Sequence, residues 1–312
     1  MKRRNFLKTG AIIGASATLV AGARSDSISK IASSADLNVV FMSDVHIKPH
    51  PIAENGMRKA LQHINNLKDK PSFILNGGDS IMDSLAATKE DTKAQWDIWS
   101  KILNEENTLP IYHCIGNHDI WGWQVKEGDI KSDPLYDKNW AMLVHQLPHR
   151  YYSFRKGHWH FIVLDSTQKN NAGYIALLDE GQYQWLEKEL ESVPKDIFVC
   201  IVSHIPIISF CSAMFFKDML PNGDWKLSRA LLHTDARRIK NLFKSYPHIK
   251  ACLSGHIHLQ DEVEYLGVKY FCNGAISGNW WNGSFQDFDP AYALFRFGDD
   301  GHVSRQMINY DL

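Results

Sequence analysis

The sequence predicts an α/β fold, on three observations. Short apolar runs rich in β-branched residues alternate along the chain with segments of helical periodicity, the order that builds sheets covered by helices. Most of these runs are apolar on both faces, as in strands buried between layers. Small polar clusters of Asp, His and Asn stand just beyond five of them, where open α/β sheets gather their ligands. The strand-like runs are residues 37–42, 73–75, 111–115, 160–164, 197–202, 249–253, 268–272 and 291–297. Helices are expected at 52–67, 88–103, 180–191 and 228–246, the second with Trp96, Trp99 and Leu103 forming a core-facing stripe. Residues 262–266 and 268–272 read as a hairpin around Gly267, and 291–297 pairs with 303–309.

Composition sets outer limits. The chain has 312 residues, with 34 Lys and Arg against 35 Asp and Glu. That near-balance argues against a nucleic-acid partner, which calls for a basic binding face. At 44% hydrophobic and 22% charged residues, the chain is in the globular range. It is long enough to bury a core without disulfides. Its 5 Cys, lacking any C-x-x-C, do not form a disulfide framework. Cys114, Cys200, Cys252 and Cys272 fall in predicted strands and Cys211 in a loop, so no essential disulfide is expected. The conspicuous entries are 15 His and 10 Trp.

The first residues stand apart from this pattern. Met1 to Lys8 carry Lys2, Arg3, Arg4 and Lys8, a weakly apolar stretch follows to Val20, and Ala21-Gly22-Ala23 has the small-x-small form of a cleavage site. This is the architecture of a secretory signal, too short to span a bilayer. Arg3-Arg4-Asn5-Phe6-Leu7-Lys8 resembles the twin-arginine export signal. The expected organisation is a signal peptide at 1–23, a linker at 24–35 and one domain at 36–312, with 121–150 as an inserted loop or cap. The mature chain would have no membrane span and be exported, periplasmic or extracellular. Cleavage after Ala23 removes four of the 34 basic residues and none of the 35 acidic ones, turning a net charge of −1 into −5.

The polar clusters carry the chemistry. They are Asp44-Val45-His46, Gly77-Gly78-Asp79, Gly116-Asn117-His118-Asp119, Ser203-His204 and Gly255-His256-Ile257-His258. Carboxylate, imidazole and amide donors without thiolate suit Mn, Fe, Zn or a similar divalent ion. The i, i+2 spacing of Asp44/His46 and His256/His258 places each pair on one side of an extended segment. Gly78, Gly116 and Gly255 permit the tight turns that bring short ligands together.

In their order and spacing these motifs resemble the calcineurin-like metallophosphoesterases from about Val39 to His258. The resemblance implies a four-layer αββα sandwich with two central mixed β-sheets, and a centre of two divalent metal ions. It implies Asp44, His46, Asp79 and His258 on one ion and Asp79, Asn117, His204 and His256 on the other, Asp79 bridging. His118 is implied to face the phosphate as a catalytic group, with Asp119 orienting its ring. Met82 stands where the purple acid phosphatases carry a metal-binding Tyr, so a tyrosinate centre is not expected.

Two cations can clamp the attacking and leaving oxygens of a displacement at phosphorus and activate a water, so no Ser or Cys nucleophile is required. The partner is expected to be a small phosphoester. Few cationic residues flank the motifs apart from Lys126 and Lys217, which leans the reading to a phosphodiester, such as a cyclic nucleotide or glycerophosphodiester, over a monoester. Trp121, Trp123, Trp225, Trp280, Trp281 and Phe285 either line a cleft or pack the loops against the sandwich. A nuclease or a non-catalytic module on the same scaffold are the alternatives; the acidic mature chain disfavours the first. The sequence sets no oligomeric state.

Overall fold

A computed structural model describes residues 36–125, 130–171, 173–216 and 218–310. The expected signal peptide and linker lie outside the described residues. In chain order the elements are β1 Leu37–Met42, α1 Pro51–Asn65, β2 Phe73–Asn76, α2 Lys89–Glu106, β3 Ile111–His113, α3 Asn139–Val144, β4 Tyr152–Lys156, β5 Trp159–Leu164, β6 Thr167–Asn170 and β7 Gly173–Ala176. They continue with α4 Glu180–Ser192, β8 Phe198–Ser203, α5 Phe210–Phe215, β9 Asp218–Met219, β10 Trp225–Lys226, α6 Ala236–Phe243, β11 Ile249–Ser254, β12 Gln260–Tyr265, β13 Val268–Asn273, β14 Ala291–Phe297 and β15 Val303–Asn309.

Two mixed sheets form the centre. One has the order β15-β14-β1-β2-β3, the other β12-β13-β11-β8-β5-β4. In the first, β1, β2 and β3 are parallel and β14 and β15 antiparallel. In the second, β13, β11, β8 and β5 are parallel, with antiparallel β12 and β4 at the edges. The period-2 alternation of each strand assigns its residues to layers. Val39 and Phe41 of β1 face inward with Phe73, Phe161, Val202, Leu253 and Phe271, the core between the sheets. Val40 and Met42 face outward onto Met57 and Ala60 of α1 and Trp96 and Trp99 of α2. On the far side Ile162, Val199 and Ile201 meet Leu186 and Leu190 of α4 and Ile239 and Phe243 of α6. Helix, sheet, sheet, helix is the four-layer sandwich expected. Each fully buried Phe at the sheet interface contributes about 1.5–3 kcal/mol by leaving water.

Two of the expected helices begin at capping side chains. Thr88 caps α2 by accepting from the Asp91 amide, and Asp179 caps α4 by accepting from that of Gln182. The fourth expected helix, 228–246, is a correction: only Ala236–Phe243 is helical. The chain before it gives its backbone to other partners. Arg229 O accepts from Ala176 N, Thr234 N donates to Ala176 O, and His233 N donates to Pro206 O. Cys211, expected in a loop, lies in the first turn of α5. All five cysteines are buried and free.

Residues 121–125 and 130–150 place Trp121, Trp123 and Trp140 in the core beneath α2. Trp121 and Trp123 therefore pack the scaffold. Among the described residues no helix is long and apolar enough to cross a membrane.

Candidate metal centre

All five polar clusters sit at the carboxyl ends of parallel strands. Asp44 follows β1, Asp79 follows β2, Asn117 follows β3, His204 follows β8 and His256 follows β11. The two sheets thus deliver donors from opposite sides to one crevice, where sheets of this kind bind ligands.

The local backbone differs from the extended segments expected. Asp44, His46, Asp79, His256 and His258 all adopt left-handed φ, at 56°, 48°, 53°, 74° and 58°. The i, i+2 pairs converge through tight turns. Such conformations cost of order 1–3 kcal/mol each and persist where the surroundings impose them. Here the turns are tied across strands: Asp44 N donates to Gly78 O, and His46 N to Asp79 O. The glycines divide by role. Gly78 supplies a positive φ of 101°. Gly116 and Gly255 are needed for close approach: a Cβ on Gly116 would overlap Asp79 Oδ1, and one on Gly255 would overlap Asp44 Oδ2. Gly116→Ala is expected to displace Asp79, lower metal content and activity together, and cost about 1–3 kcal/mol of stability as overpacking does. Metal analysis and a thermal melt check it; unchanged metal content would show that the loop yields at no cost to the site.

Donor atoms converge in two groups that share Asp79. Asp44 Oδ1 lies 3.5 Å from His258 Nε2 and 3.9 Å from His46 Nε2, and the two imidazole nitrogens are 3.0 Å apart. Asp79 Oδ2 lies 3.8 Å from His46 Nε2 and 3.1 Å from His204 Nε2. His204 Nε2 is in turn 3.1 Å from Asn117 Oδ1 and 3.2 Å from His256 Nδ1. Among the described residues three clusters have metal-ligand compactness: Asp44 with His46 and His258, His46 with Asp79 and His118, and Asp79 with His204 and His256.

Whether these residues suit cations can be judged from their protons. His204 Nδ1 pairs with Gly77 O at 2.8 Å, His256 Nε2 with Ala230 O at 2.9 Å and His258 Nδ1 with Gly278 O at 2.6 Å. A carbonyl accepts only, so each of these nitrogens carries a proton and the opposite nitrogen, in the neutral ring, turns a lone pair into the crevice. Lone pairs facing lone pairs and carboxylates at 3.0–3.5 Å are what a divalent ion with N/O ligands requires. The donor set fits two such ions.

In the metal-free crevice, burial and the carboxylates together set which donors hold a proton that a cation would displace. Burial opposes charge on Asp79, but the imidazoles of His204, His118 and His46 hold it well below the usual carboxylate range. Burial likewise opposes charge on His204, yet Asp79 holds that ring up to about 9. His256, desolvated and beside His204, falls to about 3. Asp44 is pushed up by burial and by Asp79.

His118 and His256 keep partial exposure, while Asp44, His46, Asp79, Asn117, Asp119, His204 and His258 are buried. Asp119 does not orient the His118 ring as expected. Its Oδ2 accepts from the amides of Gly116 and Asp79 and its Oδ1 from those of Ser80 and Ile81. It clamps the two loops together and has no lone pair aimed at the imidazole. The carboxylate facing His118 is Asp83, 3.5 Å from Nδ1. Nothing in the sequence singles out Asp83, which lies four residues past Asp79 in an irregular loop. His118 also packs edge-on against His46 with ring centroids 4.8 Å apart.

Aromatic rings surround the crevice. Trp280, itself at φ 48°, lies over His258 at 4.4 Å, and Phe285 meets both of these rings at 5.5 and 5.8 Å. Trp281 turns away, donating from Nε1 to His46 O and lying against Gly56 of α1. Asp165 is remote in function: it pairs with the buried Lys138 and with Arg150.

The sequence model of the calcineurin-like phosphoesterases matches residues 37–260, well over half of the chain. The chain belongs to this family. It is accordingly a metal-dependent phosphoester hydrolase. It is 26% identical over 228 residues to a probable glycerophosphodiester phosphodiesterase, GpdQ, of Arcobacter nitrofigilis, spanning 70% of this chain and 71% of that protein. It is 24% identical over 221 residues to the serine/threonine-protein phosphatase CPPED1 of Pongo abelii, spanning 70% of this chain and 63% of that protein. A dimetal phosphatase from Danio rerio superposes with a TM-score of 0.58 at 14% identity, covering 88% of this phosphoesterase and 99% of that chain, and shares its fold.

Proposed function

We propose that this phosphoesterase is a dinuclear enzyme that hydrolyses a small phosphodiester. The observation that carries the reading is the set of imidazoles whose outer protons are tied to backbone carbonyls while their lone pairs meet two carboxylates and an amide oxygen. Asp44, His46, Asp79 and His258 would hold one ion, and Asp79, Asn117, His204 and His256 the other. Bound there, Mn, Fe or Zn ions would supply charge for the phosphate oxygens and an activated water. His118, braced by Asp83, would hold a proton for the departing alcohol.

The diester preference rests on charge. Among the described residues no Lys or Arg hydrogen-bonds or ion-pairs with the donor residues, whereas a dianionic monoester usually calls for a cationic clamp. Lys126 and Lys217 lie outside the described residues. The name of the Arcobacter relative favours a diester and that of the Pongo relative a monoester. With Mn-loaded protein, bis-p-nitrophenyl phosphate is expected to be hydrolysed with at least tenfold higher kcat/KM than p-nitrophenyl phosphate. The reverse order would make the enzyme a phosphatase, and hydrolysis of neither would contradict both readings.

We also infer export, from the Arg3-Arg4 pattern and the small residues around Ala23. Replacing both arginines by lysine is expected to leave full-length precursor in the cytoplasm of a host with a twin-arginine route. Unchanged processing of that variant would refute the assignment.

A further inference from the structure

Between β10 and α6 the chain runs in turns from Leu227 to Asp235, and His233 is the one buried residue of that stretch. A buried imidazole needs partners for its nitrogens. Its Nδ1 meets Asp235 Oδ1 at 2.9 Å, and its Nε2 meets Ser203 Oγ at 3.3 Å. Its backbone N–H donates to Pro206 O. Ser203, His233 and Asp235 have the composition of a hydrolytic triad. They do not act as one, because Ser203 is 1% exposed and donates its proton to Ile205 O at 2.8 Å. His233 is instead a tie between the end of β8 and the 227–235 stretch.

Both ends of that tie hold a ligand assigned to the same ion. Ser203 immediately precedes His204. Three residues before His233, Ala230 O pairs with His256 Nε2 at 2.9 Å, which leaves His256 Nδ1 facing the crevice, 3.2 Å from His204 Nε2. His258, assigned to the other ion, is anchored on Gly278 O, in a different loop. The carbonyl that pairs with the outer nitrogen of a ligand imidazole fixes its tautomer and direction. A carbonyl in a stretch of turns keeps its place only as well as that stretch is held. Backbone bonds from Arg229 and Thr234 to Ala176 hold the stretch on either side of Ala230. His233 ties it to the strand that carries His204.

We propose that His233 is a positioning residue for one of the two ions, the one assigned to Asp79, Asn117, His204 and His256. It keeps Ala230 O in register with His204, so that the imidazoles of His204 and His256 meet the same cation. It acts through Ser203 and Ala230, not as a ligand. The inference rests on the dinuclear reading and adds to it a residue that controls the occupancy of one site without serving the other.

Calorimetric titration of the metal-free full chain with Zn, followed in parallel by the ¹⁵N signals of its labelled histidines, tests this. Wild type is expected to take up two ions. His233→Phe is expected to bind one of them unchanged and the other about tenfold or more weaker, the range that loss of an outer partner brings. With one ion bound to the variant, the signals of His46 and His258 should shift while those of His204 and His256 stay in place. Weakening of both ions alike would make His233 a residue of general stability and overturn the proposal, as would no weakening of either. Should His233→Phe fail to fold, Ser203→Ala removes only the hydroxyl and is read in the same way, with a selective loss of about threefold or more. Uptake of fewer than two ions by wild type would refute the dinuclear reading instead. The metal-free ¹⁵N spectra then decide: loss of the Nε2-protonated tautomer of His256 in the variant supports the tie through Ala230, and its retention overturns it.

Discussion

Asp79→Asn is expected to lower turnover by at least about 10³-fold, the equivalent of about 4 kcal/mol in the barrier, and to reduce bound metal from two ions to one or none. Asp79 is the one carboxylate common to both donor groups. Its Oδ2 stands between His204 and His46, and its Oδ1 is fixed by the His118 amide at 2.8 Å. Asparagine keeps the shape and removes the charge that offsets two cations. The same charge governs the pH dependence of metal uptake. In the metal-free protein Asp79 overcomes the burial of His204 and holds its imidazole up to about 9. At neutral pH that ring is protonated, so binding a cation must expel a proton. Affinity should then rise with pH and level off near 9, and calorimetry in buffers of different ionisation enthalpy should detect one released proton. In the Asp79→Asn variant the partner charge is gone, His204 loses its proton at lower pH, and the release should disappear. Two ions per chain retained by Asp79→Asn would remove Asp79 from the bridging role.

What the sequence disclosed and what it hid follow from where information is local. The layers were legible because burial on both faces leaves a direct imprint: Val39 and Phe41 serve one core and Val40 and Met42 another, so β1 reads as continuously apolar. The donors were legible because His and Asp beyond apolar strands have few other reasons to recur. Their geometry was not, because left-handed φ at Asp44 and His46 is imposed by hydrogen bonds to the Gly78–Ser80 loop, over thirty residues away. The Asp119–Asp83 exchange has the same origin. The family resemblance implied that Asp119 serves His118, but its carboxylate is occupied by four amides of two loops, and a residue from the other loop faces the ring. The shortening of the last helix was equally hidden: the pairing of Arg229 and Thr234 with Ala176 is a long-range event that no periodicity records. Trp121 and Trp123 resembled cleft residues only by their nearness to the donor motif. Trp280, which does lie at the donors, is distant from most of them in sequence.

His118→Ala is expected to retain both metals and to lose turnover by about 10²–10⁴-fold, the range associated with removing a positioned proton donor. Its ring keeps 28% exposure where most of the donor histidines are buried, and its Nδ1 is directed at Asp83, outside the two donor groups. Burial disfavours its charge, but in the metal-free protein Asp79 and Asp83 together raise it to about 9, so there it is protonated in the neutral range. An acid must be protonated to act, so activity should fall as pH rises through its pKa. Asp83→Asn removes one of the charges that raise that pKa. The alkaline limb of the kcat–pH profile should therefore move to lower pH, with the loss of activity confined mainly to the alkaline side. Metal content should be unchanged, because Asp83 is in neither donor group. Metal loss in His118→Ala would make His118 a ligand. An alkaline limb unmoved by Asp83→Asn would leave Asp83 a loop residue and assign the proton to another group. The two variants together separate binding from proton transfer, since only Asp83→Asn keeps the imidazole and changes its charge.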